Sequence, residues 1–172
     1  MKFLFTTTSE KETRHIGEQL SRLLQPGDVV GLFGDLGSGK THLIKGICTG
    51  LKCGEQVSSP SFALINQYQG EFPVYHFDFY RINSEAEIYE LGYEEYFYGN
   101  GICLIEWAER VITFLPDEYI GIYLSGIYEK GKESMRKIDV SIIGSSLNTR
   151  KWASLKNYER ANLPKKLEHV LI

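Results

Sequence analysis

The stretch Gly34-Asp35-Leu36-Gly37-Ser38-Gly39-Lys40-Thr41 constrains the fold more than any other part of the chain. It fits G-x-x-x-x-G-K-[ST] without a mismatch. Its flanks agree. Before it, Val29-Val30-Gly31-Leu32-Phe33 is a short apolar run that reads as a buried parallel strand. After it, Leu43, Ile44, Ile47 and Leu51 recur at helical spacing. Glycines let a backbone turn tightly, so that its N–H groups face phosphate oxygens, and the following helix N-terminus adds partial positive charge. In such a loop Lys40 reaches the β- and γ-phosphates and the Thr41 hydroxyl serves Mg²⁺. The expected fold is α/β: a P-loop NTPase three-layer arrangement with a mainly parallel central sheet. The expected nucleotide contacts are Gly34, Asp35, Leu36, Gly37, Ser38, Gly39, Lys40, Thr41 and His42.

At 172 residues, with 42% hydrophobic and 24% charged, the chain suits one domain with a sizeable core, here 1–145 followed by a helical extension over 146–172. A net charge of -3 argues against a broad basic surface for nucleic acid. Cys48, Cys53 and Cys103 form no metal-ligand spacing and read as reduced thiols of a cytoplasmic protein. Phe3-Leu4-Phe5 is too short for a signal-peptide core, and no apolar run approaches a membrane span.

Ser9-Glu10-Lys11-Glu12 is a capping box, and Ile16, Leu20, Leu23 and Leu24 then make one apolar face, which predicts a helix over 10–24. Val57-Ser58-Ser59-Pro60-Ser61-Phe62 reads by spacing alone as an ordinary loop leading into a strand over 62–68. Val74–Asp78 is a second apolar run, and it ends at a carboxylate. In open α/β sheets ligands sit beyond the carboxyl ends of the strands, so Asp78 is placed for chemistry. His76, between apolar neighbours, reads as a satisfied core residue first and a ligand or base second. Ser84–Glu87 is another capping box, opening a helix through Ile88 and Leu91. Glu94, Glu95, Tyr96 and Phe97 combine charge with aromatic anchors and read as a docking face or as an acidic, solvated helix end. Ile102–Ile105 is a third apolar strand, ending at Glu106, where a P-loop site needs an acid for Mg²⁺. A short helix is expected over 107–114, then strands over 119–124 and 137–143 joined as an antiparallel hairpin by the basic Lys130-Gly131-Lys132 turn. Arg136 reads as a solvated residue first and a nucleotide contact second. Trp152, Leu155 and Tyr158 suggest a final helix.

Taken in order, Gly34–Thr41, Val57–Phe62, His76–Arg81, Leu91–Tyr96 and Glu106-Trp107 resemble the motifs G-D-L-G-x-G-K-T, V-x-S-P-T-F, H-x-D-x-Y-R, L-G-x-x-E-Y and E-W of the TsaE (YjeE) family, with Ser61 in a threonine position. Any one of these is weak; five in sequence are specific. The resemblance implies ATP and Mg²⁺ as cofactors and slow ATP hydrolysis. It also implies work beside the TsaD and TsaB proteins, which form threonylcarbamoyladenosine at position 37 of tRNA, so that tRNA is met through the complex. Carried over, Lys40 holds phosphates, Thr41 and Glu106 serve the metal, Asp78 positions the attacking water, and Trp107 shapes the nucleotide site. Lys40 and Asp78 are thus the expected catalytic residues.

The rival reading is a small-molecule kinase on the same fold, with Asp78 as base for a substrate hydroxyl and Arg81 clamping the acceptor. Such a kinase should carry an arginine-bearing lid, and the sequence shows none. A GTPase lacks support because Asn-Lys-x-Asp does not occur. A nucleotide-gated binding protein without useful turnover is the third class. Neither tail position nor local pattern identifies an arginine finger; Arg81 is the nearest candidate.

Overall fold

The computed structural model describes residues 1–54, 57–60, 63–127, 135–145 and 152. The chain opens with β1 (Lys2–Thr7), α1 (Glu10–Ser21), β2 (Val29–Phe33) and α2 (Lys40–Gly50). β3 (Ile65–Gln69) and β4 (Pro73–Asp78) follow, then the short helices α3 (Glu85–Glu90) and α4 (Tyr93–Phe97). β5 (Ile102–Glu106), a 3-10 turn at Ala108–Val111, β6 (Tyr119–Ile127) and β7 (Met135–Ile143) complete it.

One seven-stranded sheet runs in the order β1-β7-β6-β2-β5-β4-β3. Its centre, β6-β2-β5-β4, is parallel, and the outer strands pair antiparallel on both sides. This is the expected α/β sheet with its C-terminal hairpin; the Lys130-Gly131-Lys132 turn itself lies outside the described residues. β5 is buried along its whole length, as a central parallel strand covered on both faces must be. Because side chains alternate along a strand, Ile102 and Leu104 enter the core shared with α1 and α2, while Cys103 and Ile105 enter the one that α3 and α4 close.

α1 and α2 lie against each other through glycines. A Cβ on Gly46 would stand 2.0 Å from the Arg14 carbonyl oxygen, and one on Gly17 2.3 Å from that of Leu43. The contact is therefore backbone on backbone, which fixes where the start of α1 stands relative to the start of α2.

Several boundaries differ from expectation. α1 ends at Ser21, not 24, and the N–H groups of Leu23 and Leu24 bond back three residues as the helix unwinds toward Pro26. Ser9 does cap α1, accepting from the Glu12 N–H at 3.1 Å, but the Glu12 carboxylate bonds the Thr8 N–H, so the first box is only half closed. The second is complete at Ser84 and Glu87. The strand predicted over 62–68 begins at Ile65, because Ala63 and Leu64 both donate to the Pro60 carbonyl in a turn. The helix predicted over 107–114 is a single 3-10 turn. β1 was not foreseen. The extension over 146–172 lies outside the described residues except for Trp152, which is buried in the core on the α1–α2 side.

Candidate functional site

Sheet register assembles the site. β2, β5 and β4 run parallel, so all end on one edge, and pairing sets Leu32 level with Glu106 and Glu106 level with Asp78. Paired residues on neighbouring strands share a face, about 5 Å apart. That face is the one covered by α2. The loop from β2 to α2 therefore meets two strand-end carboxylates without any long-range accident.

The loop needs its glycines at particular places. Gly34 has φ 120°, and a Cβ there would lie 2.0 Å from the Leu124 carbonyl oxygen. Gly39, with φ 106°, is the residue before α2. No side chain tolerates both the left-handed backbone and the β6 strand so close by. The Ser38 hydroxyl is buried in the loop with no hydrogen-bond partner among the described residues. Asp35 and Leu36 face solvent.

Lys40, 4% exposed, folds back along the loop and donates to the carbonyls of Gly34 at 2.6 Å and Asp35 at 2.9 Å. Its ammonium also sits 3.9 Å from the centre of the Trp107 ring, a cation–π contact. Burial pushes the Lys40 pKa below the ordinary lysine value, while Glu106, Glu109, Asp78 and Asp35 pull the other way. A bound anion would relieve that burial cost. Trp107 holds its ring there at a backbone φ of 61°, strained for a bulky residue, and Tyr80 stacks on it at 4.8 Å between centroids.

The Thr41 hydroxyl donates to both oxygens of Glu106, at 2.9 and 3.0 Å. Glu106 is 3% exposed and also meets His76 Nε2 at 2.9 Å. His76 is fully buried and its Nδ1 has no partner among the described residues. A carboxylate only accepts, so His76 Nε2 carries a proton and donates it to Glu106. The core reading of His76 is thus right about burial but misses its tie to Glu106. Asp78, 4% exposed, accepts from the Ser59 hydroxyl through Oδ2 and from the Tyr80 N–H through Oδ1 at 3.1 Å.

These groups border a cavity of about 490 Å³, within the usual range of small-molecule sites. Four residues that line it, Ser59, Glu10, Tyr80 and Arg136, are not among the expected site residues. Ser59 looked like loop by spacing, and only the family motif around it marked it out. Glu10 comes from the start of α1, through the α1–α2 contact that no local pattern announces, and meets His42 Nε2 at 3.2 Å. Burial lowers the His42 pKa against the pull of Glu10. Arg136 is not simply solvated: its side chain covers Gly39, with Cδ 3.1 Å from where a Cβ would be.

The docking face expected at Glu94–Phe97 is corrected. Phe97 is 2% exposed, and Tyr96 packs edge-on against Tyr75 and Phe77. Phe97 is a core side chain, Tyr93 and Tyr96 are half-buried against that core, and Glu94 and Glu95 face water.

The donor set is hard oxygen and one ammonium: a hydroxyl, a carboxylate, backbone N–H groups and Lys40. Among the described residues no cluster of three or more His, Cys, Asp or Glu could hold a metal. Mg²⁺ seldom needs one, since it takes one or two protein oxygens and completes its shell with water and phosphate. Thr41 and Glu106 fit that requirement, and the orphaned Ser38 hydroxyl fits a phosphate oxygen.

The family model for threonylcarbamoyl adenosine biosynthesis protein TsaE matches residues 7–138. The chain belongs to the TsaE family. The tRNA threonylcarbamoyladenosine biosynthesis protein TsaE of Bacillus subtilis is 39% identical over 140 residues, 81% of this chain and 85% of that protein. The TsaE protein of Treponema pallidum is 39% identical over 125 residues, 73% of this chain and 93% of its own. The crystal structure of Bacillus subtilis YdiB superposes with a TM-score of 0.74 at 31% identity, covering 94% of this chain and 96% of that one. The TsaE match begins at β1 and ends within β7, so it spans the whole site, from Glu10 to Arg136. No helix among the described residues is long and apolar enough to cross a membrane.

Proposed function

We propose that this chain is an ATP-binding and slowly ATP-hydrolysing component of the machinery that forms N6-threonylcarbamoyladenosine at position 37 of tRNA. Membership of the TsaE family supports the pathway. Its partners in this reading are the TsaD and TsaB proteins, with tRNA met through their complex, in the cytoplasm. The observation that carries the ATPase reading is the convergence at one sheet edge of Lys40, Thr41, Glu106 and Asp78. No observation favours the kinase.

The loop over 34–42 wraps the triphosphate with its N–H groups, and Lys40 turns from the Gly34 and Asp35 carbonyls to phosphate oxygens. Thr41 and Glu106 would hold Mg²⁺, directly or through water. When bound, Mg²⁺ neutralises charge on the β- and γ-phosphate oxygens. His76 keeps the Glu106 carboxylate turned toward Thr41. Trp107 lays an apolar, electron-rich wall beside the Lys40 ammonium and keeps water from it. Asp78 orients the attacking water by accepting its hydrogen bond.

Slow turnover follows from the state of Asp78 in the chain alone. Both carboxylate oxygens are engaged, by Ser59 and by the Tyr80 backbone. Ser59 belongs to the segment between α2 and β3, so a partner that moves this segment releases Asp78 for water and couples hydrolysis to assembly. Calorimetric titration of ATP with and without Mg²⁺, beside a turnover assay, tests the reading. ATP binding that Mg²⁺ strengthens, with slow phosphate release and no dependence on a phosphoryl acceptor, is the expected result. Transfer of phosphate to a small hydroxyl compound would establish the kinase instead.

A further inference from the structure

The C-terminus of α2 places two cysteines together by backbone geometry alone. Lys52 adopts φ 60°, in the left-handed region. Its N–H bonds the Thr49 carbonyl at 3.1 Å, and the Cys53 N–H bonds the Cys48 carbonyl at 2.9 Å. This pair of bonds around a left-handed residue is the Schellman motif, in which the side chains at the two ends of the longer-range bond meet. Both are cysteines here. Each thiol perturbs the other: the neighbouring Cys53 pushes the Cys48 pKa up, and the neighbouring Cys48 lowers that of Cys53. Cys48 is buried in the core, whereas Cys53 is half-buried. The Cys53 sulfur lies against Gly70, where a Cβ would approach it to 2.8 Å. The third cysteine is set apart. Cys103 is buried, its thiol meets the Tyr96 carbonyl at 3.2 Å, and burial pushes its pKa up to about 12.

We infer that Cys48 and Cys53 form a dithiol that a hydroperoxide oxidises to an intramolecular disulfide, closing the last turn of α2 onto the segment that leads to Ser59. Cys53 is the attacking sulfur, because it is half-buried and open to a peroxide while Cys48 is closed in the core. Its thiolate attacks one peroxide oxygen, the O–O bond breaks, and the departing hydroxide takes up a proton as water. Cys53 is left as the sulfenic acid. The Cys48 sulfur then attacks the Cys53 sulfur, the S–O bond breaks, and the Cys48 proton leaves with the hydroxide as a second water. Two thiols and one hydrogen peroxide give one disulfide and two waters, the sulfurs supplying the two electrons that reduce the peroxide. The pair stands at the opposite end of α2 from Lys40. Eleven residues separate the two ends, about 16 Å of helix, so the modification is separate from the nucleotide site.

The test uses the purified full chain and hydrogen peroxide near stoichiometry. After treatment, unfolding and maleimide labelling, the number of labelled cysteines should fall from three to one, at Cys103, and dithiothreitol should restore it. Peptide mapping should recover Cys48 linked to Cys53. In Cys48→Ser the peroxide should leave a dimedone-reactive sulfenic acid at Cys53, and in Cys53→Ser the same dose should leave Cys48 unreacted. Three labelled cysteines in the treated wild type, or a linkage through Cys103 or between chains, would overturn the proposal. The wild-type result stands whether or not either variant folds.

Discussion

Lys40, Asp78 and His76 each touch the site differently, and their substitutions should fail differently. Lys40→Ala removes a charge-assisted bond to phosphate, worth about 1.5–3 kcal/mol, so ATP affinity should drop roughly 10- to 150-fold. Calorimetry reads this directly, and unchanged affinity would refute the site. Asp78→Asn keeps the shape of the side chain but not its charge. Orienting water acts on the transition state and not on ground-state binding, so ATP affinity should hold while hydrolysis falls by roughly 10²-fold or more. Phosphate release measured beside a binding isotherm separates the two effects. His76 acts through Glu106. Substituting such a supporting residue typically costs roughly 10–100-fold in metal affinity, so His76→Leu should weaken the Mg²⁺ dependence of ATP binding and leave metal-free nucleotide binding intact. His76→Gln, which retains a donor, should recover part of the loss. A His76→Leu protein with wild-type Mg²⁺ dependence would reduce His76 to core packing.

At the scale of elements, the α1–α2 contact sets two rules against each other at Gly46. Helix propensity alone favours alanine over glycine by about 1 kcal/mol. The Cβ would meet the Arg14 carbonyl at 2.0 Å, however, and backbone cannot yield as a side-chain tip can. Overpacking of this kind costs about 1–3 kcal/mol, so Gly46→Ala should destabilise the fold, as read from the midpoint of chemical denaturation; a gain in stability would mean that the helices part freely. This contact also marks where the sequence stops being legible. The β2–loop–α2 unit, the strand ends at Asp78 and Glu106 and the C-terminal hairpin all carry local patterns, and each stands where those patterns put it. β1 does not: Lys2–Thr7 exposes Leu4 between buried Phe3 and Phe5, so its alternation is blurred, and its partner β7 lies more than a hundred residues away. The hydrogen bond from His76 to Glu106 is likewise a product of pairing between strands far apart in sequence, and that from Ser59 to Asp78 of a loop folded back on the end of β4. Tyr96 and Phe97 misled for the opposite reason. Aromatic residues beside glutamates read as a surface, but a five-residue helix lying on a sheet must turn its apolar side inward.

Over the whole molecule, one sheet edge carries the proposed phosphate and metal ligands beside Asp78, the proposed water-orienting acid, which already accepts hydrogen bonds from Ser59 and the Tyr80 backbone. A P-loop site without its full complement of transition-state charge forfeits about 10³–10⁵ in rate, and completion on docking would tie ATP consumption to assembly. The direct measurement is the rate of ATP hydrolysis by the isolated chain and by the chain mixed with a TsaD–TsaB complex, under saturating ATP and Mg²⁺. Slow basal turnover that rises clearly with the complex, and fails to rise in Asp78→Asn, is the predicted result. Fast hydrolysis by the chain alone, indifferent to the complex, would contradict it.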